Sequence, residues 1–474
     1  MTPDANPPRF GTGIRGNRWD SLGEQQPAVL PTVSVVVVHF EQQAELDRTL
    51  AALSRQTYPR HLVEIIVVDD GSAEAPRVSH GARLLRQDDQ GFRLSAARNL
   101  GAASATGDIL CFLDADTAPE PGYVLALTRL PAIAPETVTV ARRRHTRFDD
   151  VHADARIEVA APLAALEEPR WLADAYAASR NLLDADDRSF RFVIGAVIAC
   201  SRWFFDEVGG FDESFTHYGG EDWEWAHRAW ISGAVFAHVP DAVAWHDGPD
   251  WAGRSDDAGG DAAGGADAAG ADATGNGAGA DVQENLRRRR KNGETLHLAQ
   301  TIAVRQSSPR AVLIARVDVV VTVTAALSDA ALFVCADSIL SAVPHARIVV
   351  PDPAPEILRG DPRVVSSTRS AAEATDAARV RIDIQNAVRV RTPDAPGDSR
   401  LAWAVETVGV GTLGEVVFTD AHGTWLLTVS SRRAALRRAR WSDATLFDTL
   451  VEEAPWLAPI TSEPSVAAYL GGWD

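Results

Sequence analysis

Residues Gly107–Pro121 read GDILCFLDADTAPEP, an apolar run that ends in two aspartates. Within it, Ile109–Leu113 has the length and composition of a strand that is buried on both faces. Two similar runs precede it, VSVVVV at Val33–Val38 and IIVV at Ile65–Val68. Because buried runs of this kind are typical of parallel sheets, this part of the chain predicts several parallel strands.

Segments with helical features separate these predicted strands. Leu46, Leu50 and Leu53 fall on one face of the segment Glu41–Gln56, and Ser95–Ser104 is rich in alanine. Strands that alternate with helices predict an α/β fold with a doubly wound parallel sheet. Ligands of such sheets bind outside the carboxyl ends of the strands, and the aspartates follow those ends.

The composition narrows the class of protein. The chain has 474 residues, and its 65 acidic and 46 basic side chains give a net charge of −19. At roughly 100–200 residues per domain, this length predicts two or three domains. The negative charge argues against non-specific nucleic-acid binding, which needs a positive surface. The sequence shows neither a signal-peptide pattern nor an apolar run near the roughly 20 residues that span a bilayer. We therefore expect a cytoplasmic protein without a transmembrane segment, with three buried, reduced cysteines.

Changes in composition along the chain predict five parts. They are an N-terminal arm (1–31), a first α/β domain (32–251), a flexible acidic loop of Ala, Gly and Asp (252–283), a basic helix with its connector (284–310) and a smaller C-terminal α/β domain (311–474). The basic run Arg287–Lys291 is either a solvated helix face or a patch for phosphate or an anionic membrane. Peripheral membrane contact, which the second alternative implies, would use this run.

The C-terminal part repeats the alternation of strands and helices. Strands are predicted at Val317–Val323 and Arg347–Val350, with a helix at Asp329–Ser341 between them. The later stretch Gly414–Asp420 echoes GDILCFLD, but His422 follows where the first domain has a second aspartate. We therefore expect a degenerate, inactive copy of the first domain that serves structure or acceptor positioning.

Three positions of the first domain offer groups for a metal and a nucleotide. Asp114 and Asp116 form an Asp-x-Asp motif at a strand end, where carboxylates can hold a divalent cation that phosphate oxygens also bind. The turn Asp69-Asp70-Gly71-Ser72 offers carboxylates to the N–H of a nucleoside base, or it is a simple strand-to-helix turn. His246 offers an imidazole that suits Mn²⁺ as a further ligand, whereas its alternative is a structural histidine.

An acidic pair stands at the start of an amphipathic segment. Glu221 and Asp222 follow Gly219-Gly220, and glycines let the backbone bring such a pair close to a ligand. A carboxylate held there can act as a general base. The alternative is that the acids merely stabilise a helix N-terminus, which accounts for the charges but not for the glycines.

Five motifs in this order resemble the family 2 glycosyltransferases with the GT-A fold. They are VSVVVVHFEQQAELDRTLAALSRQTYP, IIVVDDGS, LSAARNLGAASATGDILCFLDADTAPEP, GGFDESFTHYGGEDWEWAHR and AVAWH, within about residues 33–250. The last two are similar to those of the chondroitin-polymerase and β-1,4-galactosyltransferase branch. The resemblance implies a GT-A doubly wound mixed sheet. It also implies metal-dependent transfer of a hexosyl group from a nucleotide-diphosphate donor, a UDP-sugar, to a hydroxyl of a glycan, lipid-linked or small-molecule acceptor.

The resemblance also implies a role for each candidate residue. Asp222 would be the catalytic base and Glu221 would hold the acceptor or donor sugar, a pair that favours inversion. The nucleotide would contact Asp69, Asp70, Arg98 and Asp114, and Mn²⁺ or Mg²⁺ would bind Asp114, Asp116 and His246. Two alternatives are a nucleotidyltransferase, which usually needs a Gly-rich basic loop near the first strand, and a non-catalytic sugar-nucleotide or carbohydrate-binding protein.

Overall fold

The structure is a computed structural model that describes residue 8 and residues 10–149, 151–217, 219–249, 278–304, 307–309, 312–324, 327–366, 378–391 and 399–472. The strands are β1 (Val33–His39), β2 (Val63–Asp69), β3 (Arg83–Arg86), β4 (Ile109–Asp114), β5 (Thr117–Pro119), β6 (Thr137–Thr146), β7 (Val197–Ser201), β8 (Val235–Asp247), β9 (Val319–Val323), β10 (Arg347–Val349), β11 (Val364–Val365), β12 (Val380–Ile384), β13 (Val388–Val390), β14 (Leu413–Thr419), β15 (Trp425–Ser431), β16 (Asp448–Glu453) and β17 (Leu457–Pro459). The helices are α1 (Gln43–Ser54), α2 (Leu94–Ser104), α3 (Tyr123–Ile133), α4 (Ile157–Ala160), α5 (Arg170–Ala178), α6 (Arg202–Val208), α7 (Glu221–Ile231), α8 (Ala278–Thr301), α9 (Asp329–Ala342), α10 (Glu356–Arg359), α11 (Arg400–Thr407), α12 (Arg432–Trp441) and α13 (Val466–Tyr469).

The first sheet has eight strands in the order β3-β2-β1-β4-β7-β6-β8-β5. Strands β3, β2, β1 and β4 are parallel, and β7 runs antiparallel to both β4 and β6. The sheet is therefore mixed, as the resemblance implies. The alternation of strands and helices alone predicted a parallel sheet, because it cannot reveal that β7 inserts antiparallel between β4 and β6.

The core of the first domain explains why the apolar runs form its centre. Every residue of β1 is buried, and parallel strands that helices cover on both faces have this pattern. Helix α1 turns Leu46, Leu50 and Leu53 toward the sheet, and all three are buried. Burying each such side chain contributes about 1.5–3 kcal/mol, so these runs fix the strands whose ends carry the polar residues.

The second sheet has seven strands in the order β11-β10-β9-β12-β15-β14-β16, and β13 pairs with β17 in a separate ribbon. In the part of the chain that the structure describes, this sheet and its helices share a hydrophobic core that is separate from the core of the first domain. The echo between Gly414–Asp420 and the strand β4 is wrong as a positional equivalence. Strand β14 lies between β15 and β16, whereas β4 lies between β1 and β7. Asp420 forms the turn after β14, where its Oδ1 accepts hydrogen bonds from the amides of His422 and Thr424 at 2.9 and 2.8 Å.

Buried arginines of α12 join the two sheets. Glu136, just before β6, accepts hydrogen bonds from Arg437 Nε at 3.0 Å and from Arg440 Nη1 at 3.2 Å. Arg433 donates to the carbonyl oxygen of Ala234, just before β8, at 2.9 Å. The second domain therefore contacts the starts of β6 and β8.

The structure tests two further predictions, one for the cysteines and one for the acidic loop. The three cysteines are free and buried, as predicted. Residues 278–283, the last part of the predicted loop 252–283, belong to helix α8, so the loop prediction is wrong for them. The rest of that loop, through residue 277, lies outside the described residues. No helix in the described part of the chain is long and apolar enough to cross a membrane.

Candidate active site

The carboxyl end of β4 places an aspartate beside a distant histidine. Strand β5 follows the Asp-x-Asp motif at once and pairs antiparallel with the end of β8, so that Thr117 lies opposite His246. This pairing brings Asp116 Oδ2 to 3.3 Å from His246 Nε2. Two residues 130 positions apart in the sequence therefore meet because a three-residue strand links the two strand ends.

The Asp116–His246 pair has the donor set of a divalent cation site. His246 Nδ1 lies 3.2 Å from the carbonyl oxygen of Gly248, an acceptor that requires the proton on Nδ1. The other ring nitrogen, Nε2, faces the Asp116 carboxylate, so a nitrogen and an oxygen donor lie side by side. A backbone acceptor on the other ring nitrogen is typical of metal-binding histidines. The residues therefore fit such a cation.

The charge of Asp116 supports the same interpretation. Burial alone would raise the pKa of Asp116, but His246 and the hydrogen bonds outweigh burial and lower this pKa to about 2. Its Oδ1 accepts a hydrogen bond from Thr117 Oγ1 at 3.1 Å. Among the residues that the structure describes, no group of three or more His, Cys, Asp or Glu side chains is arranged around one point. Donor phosphates would therefore have to complete the coordination.

Arg98 links Asp114 to the acidic pair. Its Nη2 lies 3.1 Å from Asp114 Oδ1 and its Nη1 lies 3.0 Å from Glu221 Oε1. The Arg98 side chain is 2% exposed. Because water hardly reaches the guanidinium, these two carboxylates are its charge partners. The resemblance implied a contact between Arg98 and the base or the diphosphate. That contact stays a prediction, whereas the geometry gives Arg98 a positioning role.

The acidic pair opens α7 and is held in place from a loop before β7. Gly219 and Gly220 have φ values of 102° and 92°, which favour glycine. Asp222 Oδ2 accepts a hydrogen bond from the amide of Gly195 at 3.0 Å. A Cβ on Gly195 would lie 2.8 Å from Arg98 Nη1 and 3.0 Å from the Cβ of Asp222. The loop therefore approaches the pair so closely that only glycine fits without a shift.

Burial raises the pKa of both acids in this pair. For Glu221, burial and then repulsion by Asp222 raise the pKa to about 7, against the lowering effect of Arg98. Burial also raises the pKa of Asp222, although the amide of Gly195 and the charge of Arg98 act in the opposite direction. Oε2 of Glu221 is buried and has no hydrogen-bond partner among the described residues. A carboxylate with a pKa near neutrality is suited to accept a proton during catalysis.

The two aspartates after β2 have partners inside the protein. Oδ1 of Asp69 accepts a hydrogen bond from Ser72 Oγ at 2.5 Å and lies 2.9 Å from His39 Nδ1. Oδ2 of Asp70 accepts from the amide of Arg93 at 3.0 Å. Asp69 is fully buried and Asp70 is 6% exposed. The structure thus places both at the expected sheet edge but does not turn Asp69 outward, and their contact with a nucleotide base stays a prediction.

Arg143 is a candidate that the sequence interpretation missed. It lies near the end of β6, opposite Ala244 of β8, and its charge lowers the pKa of both Asp116 and Asp222. Arg142 and Arg144 lie on the other face of the strand and pair with Glu168. In a strand, alternation sends only the middle residue of Arg142-Arg143-Arg144 to the site, so the signal could be used only once this stretch was known to be a strand.

The basic run lies on α8, close to the acidic pair. Lys291 Nζ lies 2.9 Å from Glu294 Oε1 and 5.9 Å from the centre of the Trp223 ring. Leu298 of the same helix packs into the first core. The structure therefore anchors the helix on the first domain, and contact of the run with a membrane stays a prediction.

Comparison with known proteins identifies the domain that carries this site. Residues 34–193 match the family described as Glycosyl transferase family 2, and residues 185–244 match the one described as N-terminal domain of galactosyltransferase. This part of the chain is a family 2 glycosyltransferase domain. Together with the eight-stranded mixed sheet, the match confirms the GT-A fold that the motifs implied.

The relatives of this glycosyltransferase domain are longer proteins. Hyaluronan synthase of Pasteurella multocida is 31% identical over 244 residues, which are 46% of this chain and 24% of that protein. Chondroitin synthase of Escherichia coli is 30% identical over 244 residues, 47% of this chain and 35% of that protein. The chain thus spans about a quarter to a third of the length of these curated relatives. Among solved structures, GalNAc-T7 with UDP, GalNAc and Mn²⁺ aligns with 47% of this chain and 44% of that chain, at a TM-score of 0.37 and 20% identity.

Proposed function

We propose that the chain is a metal-dependent, inverting glycosyltransferase that moves a hexosyl group from a UDP-sugar to a hydroxyl of a carbohydrate-type acceptor. The observation that carries this proposal is the link Asp114–Arg98–Glu221, which joins the Asp-x-Asp strand end to the acidic pair. Relatives named hyaluronan synthase and chondroitin synthase support a glycan as the acceptor class.

In this mechanism Asp222 is the general base. It removes the proton of the acceptor hydroxyl as the acceptor oxygen bonds to the anomeric carbon and the bond to the diphosphate breaks. Burial raises the pKa of this carboxyl above its ordinary value, and the amide of Gly195 holds its position. A single displacement of this kind inverts the anomeric configuration.

The Asp116–His246 pair marks where the leaving diphosphate would lie. Asp116 and His246 would hold a Mn²⁺ or Mg²⁺ ion, which would neutralise charge that develops on the leaving phosphate. Asp114, expected as a further ligand, pairs with Arg98 and completes no three-residue group with them among the described residues. The guanidinium of Arg143 lies near enough to both Asp116 and Asp222 to affect their charge. It would therefore add a positive group on the path between metal and base.

The test is Asp222→Asn, which keeps the size of the side chain and one of its two acceptor oxygens but removes the base. Loss of a general base lowers turnover by roughly 10²–10⁴-fold, whereas UDP binding measured by calorimetry should change less than about threefold. The anomeric configuration of the product, read by NMR, should be opposite to that of the donor. Full turnover by Asp222→Asn, or a product that retains configuration, would contradict the proposal.

A further inference from the structure

The second sheet repeats the first strand by strand. The orders β3-β2-β1-β4-β7-β6-β8 and β11-β10-β9-β12-β15-β14-β16 place strands of corresponding chain order at the same positions. The directions also agree. In each sheet the first four strands are parallel, the fifth is antiparallel to both of its neighbours, and the last two are parallel to each other. Seven strands in one mixed order are a specific pattern, which a general α/β alternation does not require.

Local hydrogen bonds fix the register between the two frameworks. Ile109 pairs with Ser201, and Val380 pairs with Ser431. Each serine caps the helix that follows it, because its Oγ accepts from the amide three residues on, at 3.1 and 3.4 Å. The carbonyl just before each of the two strands accepts from the amide just after the serine, at 2.9 Å in both domains. Ile109 therefore corresponds to Val380.

This register identifies what stands at the metal-site positions of the second domain. Counting from Val380, the three residues equivalent to the Asp-x-Asp motif are Gln385, Asn386 and Ala387. A short strand then follows in both domains, β5 in the first and β13 in the second. In the second domain Val388 of this strand lies opposite Pro459, at the position that His246 occupies opposite Thr117. None of these four equivalents is a carboxylate or an imidazole.

The second domain also lacks a counterpart of the helix that carries the acidic pair. In the first domain α6 is followed by α7 and then β8, whereas in the second α12 is followed by the 3-10 turn Ala444–Leu446 and then β16. Residues 425–459 are described throughout, and this stretch contains no second helix of comparable length. The structural place of Glu221 and Asp222 is therefore missing.

We propose that residues 312–472 are a second copy of the GT-A framework in which the metal ligands and the acidic pair are absent. Among the residues that the structure describes, the metal–nucleotide site proposed for the first domain accordingly has no counterpart in the second. This inference concerns the second domain and does not require that the first domain have the proposed activity. It also replaces the equivalence of Gly414–Asp420 with β4 by one that places Val380–Ile384 there.

The first test counts Mn²⁺ bound by the full chain in the presence of UDP, by electron paramagnetic resonance of free and bound ion. We expect one bound Mn²⁺ per chain, and none after Asp116→Asn combined with His246→Ala. Two bound ions, or one that survives this double substitution, would overturn the proposal. No bound ion in the unsubstituted chain would contradict the metal site proposed for the first domain, but it would agree with the second domain having none.

The second test restores the missing ligands. Gln385→Asp, Ala387→Asp and Pro459→His are introduced into the Asp116→Asn, His246→Ala chain, so that any bound ion belongs to the second domain. The matched control carries Gln385→Asn, Ala387→Asn and Pro459→Gln, which have similar sizes but lack carboxylate and imidazole groups. We expect Mn²⁺ binding to return only in the first of these variants. A folded variant, checked by its circular dichroism and Tm, that binds no more Mn²⁺ than the control would refute the positional equivalence. If that variant does not fold, the count on the unsubstituted chain still decides whether a second site exists.

Discussion

Gly195→Ala tests whether the contact between the loop before β7 and the acidic pair controls catalysis. A methyl group at this position would meet Arg98 Nη1 at 2.8 Å, whereas ordinary contacts begin at 3.4 Å. The difference means that the guanidinium or the loop has to move by about 0.6 Å. Misplacement of reacting groups by about 1 Å can cost roughly 100-fold in rate, so we expect turnover to fall about 10- to 100-fold. Overpacking of this kind also costs about 1–3 kcal/mol of folding free energy.

The assay separates the loss of rate from the loss of stability. Turnover is measured as released UDP well below the Tm, and the Tm itself should fall by roughly 2–12 °C. Gly122→Ala is the matched control, because φ there is −84° and a Cβ would meet nothing within 4 Å. We expect the control to keep the turnover of the unsubstituted chain. A folded Gly195→Ala chain with turnover within twofold of that value would refute the positioning argument.

Three further predictions follow from the charges of the buried groups. Burial raises the pKa of Glu221 to about 7 and also raises that of Asp222. Because Glu221 has to be ionised to keep its ion pair with Arg98, kcat should rise with pH between about 6 and 8; a kcat that is flat down to pH 5.5 would contradict this. Arg143→Ala should weaken UDP binding at least tenfold in calorimetry, whereas Arg142→Ala, on the opposite face of β6, should change it less than twofold; equal effects would refute the assignment. Glu136→Gln leaves the buried Arg437 without its charge partner, whereas Arg440 keeps Glu207, and it should lower the free energy of unfolding in urea by about 3–5 kcal/mol. A loss below about 1 kcal/mol would show that the pairing adds little.

The sequence predicted the elements whose signal is local. Strands β1, β2 and β4 were expected within two residues of their observed ends, because an apolar run between turns is a feature of the chain itself. Strand β6 was not predicted. Its second half carries three consecutive arginines, and only the pairing with β8 makes that stretch a strand. The same limit explains the mistaken echo at Gly414–Asp420, since an apolar run that ends in aspartate does not reveal its place in a sheet.

The candidate site divides in the same way. The sequence identified the acidic pair and the Asp-x-Asp motif, because glycines and strand ends accompany them. It could not show that Arg98 joins the two, since Glu221 lies 123 residues further along the chain. Nor could it show that Asp69 would be enclosed by His39 and Ser72. Which side chains pair with a buried charge depends on how the chain folds, and the order of residues in a single sequence does not show it.

The acidic pair depends on both halves of the chain. Arg98 and Gly195 fix the first turn of α7 from within the first domain. One turn further along, the buried Glu224 lies 3.6 Å from Arg316 Nη1, which enters from the segment that leads into β9. Since α7 also packs against α12, the second framework helps to hold the helix that presents the base. A domain without a metal site of its own can therefore still affect transfer. Removing it would take Arg316 away from Glu224, which would keep only its pair with Arg228, and would leave the Glu136 side chain without Arg437 and Arg440.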